Sequence, residues 1–283
     1  MTAKKRGPRA TPRPFLKWVG GKRQLLPELL NRVDAASEFK RYHEPFLGGG
    51  ALFFELSRLG RLERQAYLSD NNGPLIATYE GVKLHVDEVI AALDEHKALH
   101  SERHYYEVRF EMPDDPVEVA ARIIYLNKTG YNGLYRENSK GFFNVPFGRY
   151  KNPAICDEDN LRAASRALKN AKIENRHFET VRLQAKPGDL VYFDPPYHPI
   201  SKTSSFTAYD RGGFGEDSQR LLATVCRELT ESGVKILLSN SMSDLIVRLY
   251  SDDFTIDEVL ASRNVNSKGD RRGKVSEALV RNF

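Results

Sequence analysis

Cysteine, metal-ligand motifs and long apolar runs are all scarce in this sequence. Its 283 residues include two cysteines, Cys156 and Cys226, which have neither CxxC nor Cys/His spacing around them. A disulfide scaffold and a thiolate metal site are therefore excluded, and the composition suits a reducing cytoplasm. No uncharged apolar run reaches the roughly 18 residues of a membrane span, and the basic N-terminus lacks the apolar core of a secretory signal. We therefore expect a cytoplasmic protein with no metal and no membrane partner.

Charge is nearly balanced over the whole chain but is unevenly distributed along it. The net charge is +5, and hydrophobic residues make up 40% of the chain, which is an ordinary globular composition. Basic residues exceed acidic ones in three segments, residues 1–14, 122–151 and 261–283. This segregation favours a surface that faces a polyanion, although a disordered arm and two solvated loops would give the same runs.

The predicted elements alternate between strands and helices. Apolar periodicity predicts helices at 25–33, 51–59 and 217–230, strands at 41–46, 65–68, 190–193 and 235–238, and a closing hairpin of 255–260 with 278–282. Helical spacing without strands covers 82–128, and the glycine, asparagine and aromatic content of 130–150 predicts a hairpin with loops. We therefore expect an α/β protein with a basic, disordered arm at 1–13, a body at 14–80 and 151–283, and an insertion at 81–150.

A glycine turn follows the first predicted strand. Residues 44–50 read EPFLGGG, and Asp70 stands at the end of the next strand. Glycines let a ligand approach the backbone, and an acid at the neighbouring strand end can accept hydrogen bonds from both ribose hydroxyls. The turn is neither GxGxxG nor a P-loop, which argues against dinucleotides and triphosphates. A tight turn without a ligand would contain the same glycines.

The only tryptophan lies in a second glycine-containing segment. Residues 15–22 read FLKWVGGK and place Trp18 beside two glycines, with Lys17 and Lys22 on either side. A flat ring with cations suits a purine-bearing ligand or phosphates. Taken alone, the segment favours a core tryptophan with surface lysines over a ligand site.

The sequence DPPY at residues 194–197 directly follows the apolar strand at 190–193. Two successive prolines impose a rigid, extended turn at the carboxyl end of that strand, where α/β folds bind ligands. A carboxylate (Asp194), fixed carbonyls and an aromatic face (Tyr197) together match an amino group on a planar ring. A generic turn is the weaker interpretation.

These motifs together resemble the N6-adenine DNA methyltransferases of the Dam and DpnII-modification type, in the segment order of their alpha class. The resemblance covers residues 14–283 and rests on separated blocks in family order: FLKWVGGKRQLLPELL, EPFLGGGALFFEL, LSDNNGPLI, NGLYRENSKGFFNVPFGRYK, VYFDPPY, FTAY and SRNVNSKGDRRGKVSEALV. It implies a Rossmann-like sheet that uses S-adenosylmethionine, with a helical insertion carrying a basic DNA-reading hairpin. The body would then be the catalytic domain and the insertion the target-recognition part of a bacterial, archaeal or phage-encoded enzyme.

The resemblance also implies roles for individual residues in transferring a methyl group to adenine N6. Catalysis would use the DPPY residues Asp194, Pro195, Pro196 and Tyr197, with Asp194 and the Pro195 carbonyl orienting N6 and Tyr197 stacking on the base. The cofactor would contact Trp18, Lys22, Phe46, Gly48, Asp70 and Asp194. The base would have to flip out of the duplex because N6 is otherwise out of reach of a buried site.

Sequence reading would fall to the hairpin. The candidate DNA-binding residues are Lys17, Asn132, Leu134, Arg136, Asn138, Pro146, Arg149 and Tyr150. Arg136 is the natural bidentate partner of a guanine, and the resemblance suggests GATC as the site in double-stranded DNA. Phosphate contacts would come from the arm and from residues 263–274, and Ser204, Ser205 and Thr207 would help to hold the gap left by the base.

Two other interpretations remain open at this point. An RNA adenine methyltransferase would have the same pocket for a single-stranded base, and a DNA reader without activity would retain the hairpin. The intact Asp70 and DPPY motifs argue against the reader. Whether a restriction endonuclease accompanies the enzyme, without direct contact, is a matter of genome context.

Overall fold

We describe a computed structural model of the chain over residues 10–62, 64–138, 140–199, 214–262 and 274–283. The chain divides into two compact units, each assembled from three segments. The helical unit consists of the described parts of Met1–Gly21, Gly48–Glu63 and Asn72–Asn175. The sheet unit consists of the described parts of Lys22–Leu47, Arg64–Asn71 and Arg176–Phe283.

Seven strands form one mixed sheet. They are β1 (Tyr42–Glu44), β2 (Ala66–Asp70), β3 (Lys172–Asn175), β4 (Leu190–Phe193), β5 (Lys235–Ser241), β6 (Thr255–Ser262) and β7 (Lys274–Arg281), in the order β3-β2-β1-β4-β5-β7-β6. Strand β1 pairs in parallel with β2 and β4, β4 pairs in parallel with β5, and β7 runs antiparallel to both β5 and β6. The expected α/β fold and its closing hairpin are confirmed.

The strands at the centre of the sheet have continuous apolar sequences. All four residues of β4 (LVYF) are buried, as are six of the seven residues of β5. Such continuous apolar runs are typical of strands that are covered on both faces. Among the described residues of the sheet unit, three α-helices accompany the strands: α1 (Leu26–Ala35), α8 (Glu216–Glu231) and α9 (Asp244–Tyr250). The buried face of α8 packs into the same core as β4 and β5.

The helical unit contains six α-helices among its described residues. These are α2 (Ala51–Arg58), α3 (Gly73–Leu84), α4 (Val86–Ala98), α5 (Glu102–Phe110), α6 (Pro116–Thr129) and α7 (Glu158–Leu168). Helix α6 is the most buried of them, and a short 3₁₀ turn at Tyr131–Gly133 follows it. None of the described helices has the length and apolar character needed to cross a membrane.

The expected hairpin after α6 is held by single bridges. Within the described residues, Gly130 bridges Phe147 and Glu137 bridges Phe143, both antiparallel, without a continuous ladder between them. The physical reason lies in the backbone, since Pro146 has no N–H to donate and Asn132 has a left-handed φ of 56°. The segment is therefore a pair of loops tied together at two points.

Asp189, the residue before β4, joins the starts of two strands. Its carboxylate, fully buried, accepts hydrogen bonds from Arg41 Nε at 3.0 Å, His43 Nε2 at 3.0 Å and the Lys186 amide at 2.9 Å, and it forms an ion pair with Arg41 Nη2 at 2.7 Å. Burial acts to raise the pKa of Asp189, but these donors outweigh it and hold the pKa below its usual value.

We predict that Asp189→Asn lowers the free energy of unfolding by about 3 kcal/mol, because it leaves buried donors without their charged partner. Urea unfolding at pH 7 measures the change, with Asp253→Asn as the control because its pair with Arg227 is solvent-exposed. The control should cost less than about 1 kcal/mol. Equal losses in the two variants would contradict a structural role for the buried carboxylate.

Candidate active site and DNA-reading surface

Predicted site residues of the sheet unit lie at the carboxyl ends of three adjacent parallel strands. Asp70 ends β2, Phe46 follows β1, and the DPPY loop, residues 194–197, follows β4. Because β2, β1 and β4 are neighbours and run in parallel, these residues share one edge of the sheet. This is the edge at which open α/β sheets bind ligands.

The Asp194 carboxylate is held through one of its two oxygens. Lys22 Nζ lies 2.8 Å from Oδ1, and the Ser239 hydroxyl of β5 donates to the same oxygen at 2.9 Å. Since the Ser239 proton is used in this way, the buried Tyr192 hydroxyl donates to Ser239 Oγ at 3.0 Å. Both hydrogen bonds that Asp194 accepts from the described side chains fall on Oδ1, so Oδ2 is the oxygen left for a ligand.

Lys22 also faces the ring of the DPPY tyrosine. Its side chain is only 8% exposed, and Nζ lies 4.4 Å from the centroid of the Tyr197 ring. A cation over an aromatic face is an attractive arrangement. We expected Lys22 to contact a cofactor. In the structure its ammonium group, an N–H donor, contacts both the Asp194 carboxylate and the face of the Tyr197 ring.

The ionisable groups of the loop are shifted by burial. Burial raises the pKa of Asp194, while the Lys22 ammonium and the Ser239 hydroxyl act in the opposite direction. Burial also raises the pKa of Tyr197, and the nearby carboxylates of Asp194 and Glu277 add to the effect. The Tyr197 hydroxyl donates to Glu277 at 2.7 Å and is neutral, so its ring rather than a phenolate faces the site.

The two carbonyls of the prolines differ in their surroundings. Gln219 Nε2 donates to the Pro196 carbonyl at 3.0 Å. No described residue donates to the carbonyl of Pro195, a residue that is buried as a whole. Of the two, Pro195 is therefore the carbonyl that a ligand can use.

Aromatic rings surround Phe46 after β1. The Phe46 ring lies 5.2 Å from Phe178, 6.3 Å from Phe193 and 5.4 Å from Phe214, measured between ring centroids. The amide of Leu47 then donates to the Ser69 carbonyl at 3.0 Å, next to Asp70. The end of β2 thus carries a carboxylate beside an aromatic group.

In the helical unit, Gly48 and Trp18 are packed together so closely that only glycine fits. Gly48 has a φ of +46°, and a Cβ there would lie 2.8 Å from Trp18 Cδ1. Tyr79 donates its hydroxyl to the Gly48 carbonyl at 3.1 Å. The Trp18 ring is half-buried and stacks on Tyr135 at 5.0 Å, so it lies at a surface rather than in the core.

The candidate DNA-reading residues of the helical unit form two groups. In the first group, the side chain of Asn127 holds the backbone of Lys17 by two hydrogen bonds. Asn127 Oδ1 accepts from the Lys17 amide and Asn127 Nδ2 donates to the Lys17 carbonyl, each at 2.8 Å. The Lys17 ammonium lies 5.6 Å from the Tyr150 ring, and a Cβ on Gly133 would meet the Lys17 side chain at 2.4 Å. Asn132, next to Gly133, is exposed, and so is Tyr150.

The second group surrounds Arg136. Its Nε donates to Asn144 Oδ1 at 2.6 Å and its Nη2 donates to the Asn144 carbonyl at 3.2 Å. Asn138 uses its side-chain oxygen to accept from the amides of Lys140 and Phe142, which closes the turn. The other candidates are on the surface as well: Leu134 is half-buried, and Pro146 and Arg149 are exposed.

Several contributing residues carried no sequence signal that we used. Asn127, Asn144 and Gln219 are isolated amides, and only their contacts reveal them. Ser239 belongs to the polar sequence SNS at the end of the apolar strand β5. Polar residues at the carboxyl end of an apolar strand were also what identified DPPY after β4, so the same pattern could have found Ser239.

Some expectations fall on parts of the chain that lie outside the described residues. These are residues 1–9 of the arm, Ser204, Ser205 and Thr207, and residues 263–273 of the basic loop. The described end of the arm is packed: Arg13 exchanges hydrogen bonds with Asn160 at 3.1 Å and pairs with Asp157. Among the residues described, no cluster of three or more His, Cys, Asp or Glu side chains is arranged to bind a metal.

Comparison with known proteins identifies the class. The profile of the D12 class of N6 adenine-specific DNA methyltransferases matches residues 18–265. The chain is 42% identical to the type II methyltransferase M1.LlaDCHI of Lactococcus lactis subsp. cremoris, over 96% of the chain and 95% of the relative. It is 44% identical to the type II methyltransferase M.MjaIII of Methanocaldococcus jannaschii, over 96% and 99%.

A further relative carries another name. The DNA adenine methylase of Escherichia coli K12 is 35% identical over 95% of the chain and 94% of the relative. Among solved structures, a putative methylase from Haemophilus influenzae covers 95% of this chain and 92% of its own at 12% identity with a TM-score of 0.38, too weak a likeness to support a conclusion. The chain therefore belongs to the D12 class of N6 adenine-specific DNA methyltransferases.

We predict that Lys22→Met moves the acidic limb of the pH profile of kcat/KM to higher pH. Burial already raises the pKa of Asp194, and removing the ammonium removes a group that opposes this, so the carboxylate is protonated at higher pH. Methyl transfer to duplex DNA, measured from pH 5.5 to 8.5, locates the limb. Lys22→Arg retains the charge and should leave the limb near that of the unaltered enzyme. An identical limb in Lys22→Met would contradict the coupling.

Proposed function

We propose that this methyltransferase transfers a methyl group from S-adenosylmethionine to N6 of the adenine in GATC, after that base has flipped out of duplex DNA. The observation that carries the proposal is the state of the DPPY loop. Its carboxylate is anchored through Oδ1 and leaves Oδ2 for a donor, the Pro195 carbonyl has no described donor, and the Tyr197 ring is held beside them. These three groups match the two N–H bonds and the flat ring of adenine.

Each unit, taken by itself, contains residues that suit a part of the cofactor. The left-handed Gly48 leaves no room for a side chain at the start of α2, where unpaired helix amides attract a carboxylate. Asp70 suits a ribose, because a carboxylate at a strand end accepts from both hydroxyls, and Phe46 offers an apolar surface. Trp18 and its stacked neighbour Tyr135 offer a flat surface for a ring. When bound, S-adenosylmethionine supplies an electrophilic methyl group on a sulfonium.

The loop orients the adenine amino group. Its nitrogen lone pair is delocalised into the ring, and hydrogen bonds from both N–H groups to Asp194 Oδ2 and the Pro195 carbonyl favour a more tetrahedral nitrogen. The lone pair then points out of the ring plane. The proton that N6 loses leaves along its hydrogen bond to Asp194, whose raised pKa suits a temporary acceptor.

Site reading rests on an arginine that is already fixed. Asn144 engages the Nε side of the Arg136 guanidinium, which leaves the Nη1 and Nη2 end for guanine O6 and N7. Lys17 is a candidate for the second guanine, with Leu134 and Pro146 for a thymine methyl and Asn132 and Tyr150 for the gap left by the base. The motif resemblance to Dam-type enzymes suggests GATC as the sequence read.

The remaining assignments follow the same interpretation. Residues 14–80 and 151–283 are the catalytic part, and the target-recognition segment 81–150 lies wholly within the helical unit. Asn138, Arg149 and the arm at 1–13 take phosphate-facing roles. Two close relatives are named type II methyltransferases, which supports a role beside a restriction endonuclease, without direct contact, in the cytoplasm of a bacterium or archaeon.

Transfer of labelled methyl groups to two duplexes, identical except for GATC and GTAC, tests the proposal. Asp194→Ala is the control, since it removes the N6 acceptor and should abolish transfer without abolishing cofactor binding. Label on GATC alone, absent in the variant, is the expected result. Label on both duplexes would overturn the GATC assignment, and label only on a structured RNA would overturn the DNA substrate.

We predict that Arg136→Ala reduces discrimination at one guanine of the site by about 1–3 kcal/mol, because one bidentate contact is lost. Rates on GATC and on duplexes with a single base changed measure the discrimination. The matched control is Arg149→Ala, which should weaken binding to all duplexes alike and make the salt dependence shallower. Equal losses on cognate and altered duplexes in Arg136→Ala would contradict a base contact.

A further inference from the structure

The DPPY loop cannot fix its own conformation by backbone hydrogen bonds. Pro195 and Pro196 have no N–H to donate, so the carbonyl of Pro196 and the amide of His198 become the points at which neighbouring residues can hold it. Both points are held by amide side chains of the sheet unit. Gln219 Nε2, from α8, donates to the Pro196 carbonyl at 3.0 Å, and Asn240 Oδ1, from β5, accepts from the His198 amide at 3.1 Å.

The two amides also bind each other. Asn240 Nδ2 donates to Gln219 Oε1 at 3.0 Å, and Asn240 Oδ1 additionally accepts from the Ser241 amide at 2.8 Å. Each amide therefore uses its nitrogen as a donor and its oxygen as an acceptor, and rotating either one would bring donor against donor. The chain of hydrogen bonds runs from the Pro196 carbonyl to the His198 amide, on either side of Tyr197, and has a single orientation.

Burying two polar amide side chains is unfavourable unless their hydrogen-bonding groups are paired. Gln219 and Asn240 are both completely buried, and the residues that follow Gln219 on the inner face of α8, Leu222 and Val225, are apolar. A leucine at position 219 would suit that face, since a buried polar side chain contributes little unless all its groups are paired. Two of the partners that pair these groups are the Pro196 carbonyl of the DPPY loop and the amide of His198, directly after the loop.

We propose that Gln219 and Asn240 are positioning residues for methyl transfer. By fixing the Pro196 carbonyl and the His198 amide, they set the direction of the Pro195 carbonyl and of Asp194, although neither touches the base. The inference rests on the proposed role of the DPPY loop.

The test uses the full-length enzyme and single-turnover methyl transfer to GATC duplexes. Gln219→Leu leaves the Pro196 carbonyl and Asn240 Nδ2 without partners, and we expect a rate lower by roughly tenfold to a hundredfold, with KM for DNA and cofactor affinity within about twofold. The control is Asn282→Leu, which removes another amide network of the sheet unit, between β5, β7 and α8, away from the loop. Asn282→Leu should lower the unfolding midpoint but retain the rate.

A second variant separates positioning from folding. In Gln219→Glu the ionised carboxylate repels the Pro196 carbonyl, whereas the protonated carboxyl can donate to it. The rate relative to the unaltered enzyme should therefore rise as the pH falls from 8 to 6.

The outcomes distinguish the two proposals. If the unaltered enzyme labels GATC but Gln219→Leu keeps its rate, or if Gln219→Glu shows no pH-dependent recovery, the positioning role is overturned while the function stands. If the unaltered enzyme fails to label adenine, the proposed function itself fails.

Discussion

Two successive prolines fix their own φ angles but donate no backbone hydrogen bond, so neighbouring residues must hold the DPPY loop in place, and this constraint governs the sheet unit. Strand β5 supplies Ser239 to the Asp194 carboxylate and Asn240 to the loop backbone, and α8 supplies Gln219 to the Pro196 carbonyl. These contacts require β5 to lie beside β4 in register, with Phe193 opposite Leu238, so that the polar end of β5 meets the loop. The pairing of the apolar residues of β4 and β5 thus places Ser239 and Asn240 within hydrogen-bonding distance of the DPPY loop and of His198.

Charge is treated differently at the two ends of β4. At its start, Asp189 is enclosed by Arg41 and His43, and its pKa is lowered, so it remains an ionised structural group. At its end, Asp194 forms an ion pair with Lys22 and accepts a hydrogen bond from the Ser239 hydroxyl, and burial raises its pKa. The same type of side chain therefore has a lowered pKa at one end of the strand and a raised pKa at the other, because the donors around the two carboxylates differ.

In the helical unit, asparagines prepare the candidate DNA contacts. Asn127 fixes the backbone of Lys17, and Asn144 fixes the guanidinium of Arg136. A long basic side chain loses considerable freedom when it binds a base, and holding it beforehand reduces that loss. The exposed basic residues are thus presented on a surface whose backbone is already determined.

The sequence alone determined the α/β class, most helices and strands, and the family, because apolar periodicity and local motifs such as DPPY are written in consecutive residues. It also singled out Asp194 and Tyr197 as candidates to bind an amino group on a planar ring, through their position directly after an apolar strand. It did not reveal that Lys22 pairs with Asp194, that Gln219 and Asn240 hold the loop, or that the hairpin is tied at only two points. Those features join residues far apart in the chain, and only the packing of strands and helices decides which of many similar polar side chains come within hydrogen-bonding distance.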